Sequence, residues 1–206
     1  MKTRKEKEEH NRREHIIDTA EVLFAQKGLG HTSVADIAQA AEFGVGTLYK
    51  YFSDKNTLIT SWAATRMDEH FSALEEALKV EATPPEMIDR FIEAYLISIQ
   101  KRTHFFKVYY SHLHLQADDE PLKIGLQQLE TRKMELFRRI DDIYQRGIDE
   151  GYFFNVGDAG YLTAATWGIL MAFYFMAQQR FNGTVNVNEM RKMVRQLLFE
   201  QVRLSA

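Results

Sequence analysis

Cysteine is absent from the 206 residues, so the chain can build no disulfide framework, no thiolate nucleophile and no thiolate metal site. This absence fits a cytoplasmic protein, the expected compartment. Net charge is −3, so no basic excess announces a nucleic-acid partner. Residues 1–60 hold nine Lys/Arg and nine Asp/Glu, so any basic surface must be local. Lys2, Arg4, Lys5, Lys7 and the Arg12-Arg13 pair form one candidate patch, countered by Glu6, Glu8, Glu9 and Glu14. An apolar core is missing from the charged N-terminus, so it does not read as a secretory leader. Period-2 alternation, internal repeats and low-complexity tracts are all missing too, which excludes a β-rich or solenoid architecture. Catalytic frames are equally scarce. There is no glycine-rich phosphate loop, no Glu-x-x-His pair and no Ser-His-Asp order, and His112 and His114 point to different helix faces. The chain therefore reads as a non-enzyme with no cofactor and no metal.

What remains is helical periodicity, and the chain reads as all-α with about nine helices. Only three prolines occur, and each opens a helix. Ile16, Ala20, Leu23 and Phe24 line a first helix ending near Gly28. Ser33 with Asp36 gives a capping box for a second, whose apolar face is Val34, Ile37 and Ala38. Gly44 and Gly46 bracket a turn into a third. Ser53 is placed to cap a fourth, with Ile59, Ala63, Met67, Phe71, Leu74 and Leu78 at helical spacing. Thr83-Pro84-Pro85-Glu86 opens a fifth, and Asp119-Glu120-Pro121 opens a long one ending near Gly151. Asp158 caps a run without charge from Ala159 to Gln179, which stops at Asn182-Gly183. That run is long enough to consider as a membrane span, but its glycines, threonines and tyrosines favour a helix buried on most sides. Asn186 with Glu189 opens the last helix, where Met190, Met193, Val194, Leu197 and Leu198 are expected to face inward.

The segment T-S-V-A-D-I-A at 32–38, followed by G-T-L-Y-K-Y-F-S-D-K at 46–55, has the layout of a helix-turn-helix. Together with Ile16, Ala20, Leu23-Phe24 and Gly28, it resembles the TetR (tetracycline-repressor-like) family of bacterial transcription regulators. The resemblance is specific over residues 12–58 and rests elsewhere on helix count and length. It implies a DNA-binding domain over 1–54 and a helical ligand-binding and dimerisation domain over 55–206. It also implies a homodimer built on the last two helices, with double-stranded DNA carrying a pseudo-palindromic operator as partner. Two positions depart from the family pattern. Glu42 replaces a turn glycine where φ > 0 is often needed, and Ala35 replaces an arginine that reads a base in many members.

Leu48 and Phe52 share one face of the third helix and belong to the core. Val45, Gly46, Thr47, Tyr49 and Lys50 fall on the remaining surface, where the resemblance places groove contacts. Lys50 can donate to guanine or phosphate, and Tyr49 can pack on a thymine methyl. Thr47 and Tyr51 suit phosphate oxygens. Thr32, Ser33 and Lys55 lie at helix starts, which favour anions, although Thr32 and Ser33 also suit ordinary capping. The C-terminal region is rich in aromatic residues. Tyr95, Phe105, Tyr109, His112, Tyr144, Trp167 and Met171 are candidate contacts for a small hydrophobic or aromatic effector; the competing reading is that they fill an ordinary core. The small residues Gly160, Ala164, Ala165, Gly168 and Ala172 suit close packing against a second subunit. The sequence is expected to encode a homodimeric repressor released from its operator by such an effector, and the main rival is a helical ligand-binding or scaffold protein whose DNA reader has decayed.

Overall fold

The structure is a computed structural model that describes residues 3–110, 120–180 and 186–200. The described residues form nine α-helices: α1 Arg4–Lys27, α2 Val34–Ala40, α3 Val45–Tyr51, α4 Lys55–Ala77, α5 Pro84–Lys101, α6 Thr103–Val108, α7 Glu120–Asp149, α8 Gly160–Arg180 and α9 Val187–Arg195. A wider, π-type turn continues α9 over Gln196–Glu200. No described helix is long and apolar enough to cross a membrane. The chain divides into two compact units, one within Met1–Met67 and His104–Gln128, the other within Asp68–Thr103 and Leu129–Ala206.

Local chemistry explains most helix limits in the first unit. Thr3 and Glu6 form a reciprocal capping box that starts α1 well before its first buried residue, Ile16. Gly28 ends α1 at φ 81°, a left-handed value that side chains with a Cβ adopt at a cost, and its N–H donates to the Phe24 carbonyl at 2.9 Å. Ser33 and Asp36 cap α2 as the spacing requires. Gly44 caps α3 with backbone alone, and Gly46 sits inside α3 instead of bracketing the turn. Asp54, not Ser53, caps α4: its Oδ1 accepts from the Thr57 N–H at 2.7 Å, while the Ser53 hydroxyl donates to the other Asp54 oxygen. A carboxylate is the stronger acceptor for the free N–H groups of a helix start, which explains the swap.

Ile16, Ile17, Ala20 and Phe24 of α1 are buried, α1 packs on α2, and Trp62 of α4 is fully enclosed. Trp62 meets Phe24 and Phe105 edge-on, each at 5.2 Å between ring centres. Arg66 is 2% exposed, and a charge buried so deeply persists only when paired. It donates to Glu21 at 2.7 Å, pairs with Asp18, and lies 3.6 Å from Glu14. The Trp62 indole N–H donates to the same Glu21. These contacts fasten α4 to α1 within the first unit.

In the second unit, α5 starts at the predicted Thr83/Glu86 box and buries Phe91, Ile92 and Tyr95. Arg132 of α7 reaches Glu75 at 2.7 Å and Asp68, and lies over the Phe71 ring. Gly151, at φ 78°, follows the end of α7. One turn before that end, a side chain at Gly147 would overlap the Phe153 ring, so the close approach there requires glycine. Asp89 of α5 is 7% exposed and takes Arg191 and Arg195 of α9, which locks α9 in orientation.

Two expectations about the last helices need correction. α8 is not buried on most sides within one chain: Thr163, Thr166, Leu170 and Tyr174 point inward, but Tyr161 is 69% exposed and Ala164, Ala165, Gly168, Ala172, Phe175 and Met176 are exposed beside it. On α9 only Met190 and Val194 are buried, while Met193 and Leu197 lie exposed one turn apart. Absence of charge therefore marks two apolar faces of α8, of which a single chain covers one. The expected helix stop at Asn182-Gly183 and the start at Asp119 lie outside the described residues.

Candidate nucleic-acid interface

Leu48 is the buried anchor of α3, and it fixes which way the other side chains face. Val45, Gly46 and Tyr49 lie on one exposed strip, with Tyr49 51% exposed. Lys50 is exposed next to this strip, and Thr47 and Tyr51 are half-buried beyond it. The half-buried Lys55 is the first residue of α4. Val45, Gly46, Tyr49 and Lys50 thus form the exposed side of α3, which a helix that enters a groove requires.

The turn between α2 and α3 holds despite its departure from the family pattern. Glu42 adopts φ 59°, the left-handed region that glycine enters without cost. Its N–H still donates to the Gln39 carbonyl at 3.2 Å, and the Phe43 N–H donates to Ala38 at 2.9 Å. Phe43 meets His15 of α1 edge-on, and the His15 ring contacts the Ala41 carbonyl at 3.3 Å. Tertiary contacts therefore hold the conformation that the residue type disfavours.

Thr32 requires a correction. It is 1% exposed, and its hydroxyl donates to the Gly28 carbonyl at 2.8 Å, so its side chain presents nothing to a phosphate. Ser33 is exposed, but its hydroxyl is already bonded to Asp36 at 2.7 Å. That bond and the Ser33 backbone N–H hold the Asp36 carboxyl down to about 2.

A cleft of about 510 Å³ runs between α1 and α3. Thr47, Lys50 and Tyr51 line it from α3, and Arg12, Arg13 and His10 from α1, with Glu9 at its edge. The Arg12-Arg13 pair is visible in the sequence as a basic dipeptide. Its position beside α3 is not, because that depends on how Ile16 and Ile17 dock the helix. His10 carries no signal in the sequence.

The expected effector residues fall into three groups. Tyr95, Trp167 and Met171 come together: the Tyr95 hydroxyl donates to the Met171 sulfur at 3.3 Å, and its ring lies 5.4 Å from Trp167. Tyr144 stands apart, bonded to Thr166 at 2.6 Å and packed on Phe153, and burial pushes its phenol above the usual range. Phe105 and Tyr109 belong to the first unit and pack on each other at 5.4 Å. His112 lies outside the described residues. Sequence reading missed His70, whose Nδ1 lies 2.8 Å from the Ser98 hydroxyl and whose ring meets Tyr95 at 5.5 Å. Its place three residues after Met67 on the apolar face of α4 is the signal that could have found it.

A three-helix unit that holds a short exposed helix on a buried leucine defines a helix-turn-helix DNA-binding regulator. The family profile described as "Bacterial regulatory proteins, tetR family" matches residues 16–61. The chain is 29% identical over 143 residues to the HTH-type transcriptional repressor KstR2 of Mycolicibacterium smegmatis, covering 69% of this chain and 68% of that one. It is 32% identical over 130 residues to the fatty acid metabolism regulator protein of Bacillus subtilis strain 168, covering 62% and 58%. The crystal structure of the regulator FadR from Bacillus subtilis in complex with stearoyl-CoA superimposes with a TM-score of 0.69 at 21% identity, covering 92% of this chain and 98% of that one. Over residues 16–61 the chain is therefore similar to the TetR family of bacterial regulatory proteins.

Proposed function

We propose that this protein is a cytoplasmic homodimeric repressor that an acyl thioester of coenzyme A releases from its operator. The exposed strip of Val45, Gly46 and Tyr49 on α3 is the observation that carries the DNA-binding half of this reading. Residues 1–54 act as the reader, and residues 55–206 bind the effector and dimerise. Two recognition helices about 34–36 Å apart read the two halves of a pseudo-palindrome.

The dimer reading is supported by the exposed apolar faces of α8 and α9. Tyr161, Gly168, Phe175 and Met176 recur at helical spacing, with Met193 and Leu197 on the next helix. Apolar surface of this kind on both terminal helices suits a two-fold pairing in which the same patch serves both subunits. Tyr95, Trp167 and Met171, backed by His70 and Phe137, form an aromatic cluster with a few polar tips. Opened by an effector, such a cluster would suit a long apolar chain carrying one polar end. A relative named for fatty acid metabolism and a structural neighbour holding stearoyl-CoA support acyl-CoA as the effector class. An effector releases DNA only through unequal affinity for the two conformations of the dimer.

The test is DNA release. Acyl-CoA thioesters of rising chain length are titrated onto the protein–operator complex, with free coenzyme A and free fatty acids as controls. Release by long acyl-CoA alone supports the reading; equal affinity for operator with and without every thioester removes the effector half of it. Met193→Glu with Leu197→Glu is expected to give monomers by sedimentation, and a dimer that survives both charges removes the assigned interface. The rival reading of a decayed reader predicts that Tyr49→Ala changes no DNA affinity.

A further inference from the structure

The cleft between α1 and α3 divides the recognition helix into two working faces. Val45, Gly46 and Tyr49 form an exposed strip outside the cleft, while Lys50, Thr47 and Tyr51 border it. Across it stand Arg12, Arg13 and His10. Arg13 is partly committed: its guanidinium lies over the Phe52 ring at 5.1 Å and 4.0 Å from Glu14. Neither Arg12 nor Lys50 forms an ion pair with a carboxylate among the described residues. Two cations without ion pairs thus face one open cleft, with Glu9 the only acid lining it among the described residues. This pairing pattern makes the surface cationic although residues 1–60 are neutral in sum. The capping box at Thr3 and Glu6 continues α1 for three turns before Ile16, so Arg12 is carried on regular helix instead of on a loose tail.

We propose that this cleft seats one strand of the DNA sugar–phosphate backbone, with Arg12 of α1 and Lys50 of α3 each donating to a phosphate. Thr47 and Tyr51 supply the neutral donors between them. Lys50 is therefore a positioning contact that reads no base, and sequence is read by the strip that carries Tyr49. Cations without protein partners suit phosphate oxygens because the contact releases condensed counterions and breaks no existing ion pair. This inference rests on the DNA-binding reading above, and the experiment separates the two.

The probes are a duplex selected by the wild-type protein from a random library, the same duplex scrambled, and a panel of single base-pair changes. Wild type, Arg12→Ala, Arg12→Lys, Lys50→Ala and Tyr49→Ala are titrated by fluorescence anisotropy at several salt concentrations. Arg12→Ala and Lys50→Ala are each expected to lower the slope of log affinity against log salt by about one. From about 50 to about 200 mM salt, wild type should lose about 3.5-fold more affinity than either variant. Both variants should weaken binding evenly across the base-pair panel, and Arg12→Lys should keep the wild-type slope. Tyr49→Ala should change the base preference instead. A wild-type slope for Arg12→Ala overturns the cleft assignment, and so does a loss confined to one base pair for Lys50→Ala. A wild-type protein indifferent to sequence overturns the reading of α3, whereas the Arg12 slope judges the cleft on either duplex.

Discussion

The two compact units share one use of charged side chains and differ in another. In the second, Arg132, Arg191 and Arg195 are spent inside the chain, holding α7 to α4 and α9 to α5 through Glu75 and Asp89. In the first, Arg66 is buried among acids in the same manner, but Arg12 and Lys50 form no ion pair among the described residues. Pairing, more than count, sets what a charge can do. A net charge of −3 is compatible with a DNA reader because, of the acids that balance the sum, Glu9 alone among the described residues lines the cleft. The same contrast holds for aromatic residues. Tyr49 of the reader is half exposed, whereas Tyr95 and Tyr144 of the other unit are buried with their hydroxyls bonded.

Neighbouring residues of α3 give the largest test of this contrast. Leu48→Ala removes the buried anchor and should cost about 3 kcal/mol of stability, read by urea unfolding. Tyr49→Ala, one residue on, should leave stability within about 0.5 kcal/mol and weaken operator binding about 10- to 100-fold. Equal stability loss in both would mean that Tyr49 is packed, not presented.

Acid sensitivity should belong to the second unit. Burial, aided by the nearby Arg102 charge, pushes the His70 imidazole down from 6.5 to about 3. Between those values the unfolded chain binds a proton that the folded chain refuses. Stability therefore rises with pH through this window and is lost on acidification, by about 1.4 kcal/mol per pH unit. His70→Gln should flatten the dependence between pH 6 and pH 4 in a series of unfolding curves. An unchanged slope would mean that another group titrates there.

Smaller still is the effect expected at the turn. Glu42→Gly removes a left-handed strain and a negative charge but loosens the unfolded chain, so stability should rise by about 0.5 kcal/mol. Operator affinity should rise with it, more at low salt than at high, because an exposed charge is screened. A fall in affinity would show that the Glu42 carboxylate makes a contact of its own.

How much of this was legible in the sequence follows from how far apart the interacting residues lie. Capping is local, so Ser33 with Asp36, Thr83 with Glu86 and the glycine stop at Gly28 could all be read from spacing. The positive φ at Glu42 was legible as well, because the turn requires it whatever residue stands there. Thr32 was misread because its hydroxyl bonds back to Gly28, a choice that a helix start leaves open. Met193 and Leu197 were misread because helical spacing marks an apolar face without saying which body covers it. The grouping of Tyr95, Trp167 and Met171 and the cleft at Arg12 depend on helix packing over long sequence separations, which spacing does not encode.

The central claim is that α3 reads sequence. Fluorescence anisotropy of the purified protein on DNA from just upstream of its own gene, against the same DNA scrambled and at two salt concentrations, tests it most directly. The account predicts tight binding that prefers the native sequence, weakens with salt and loses its preference in Tyr49→Ala. Equal, weak binding to both duplexes, with a sequence-preferring site also missing from a random library, would contradict it.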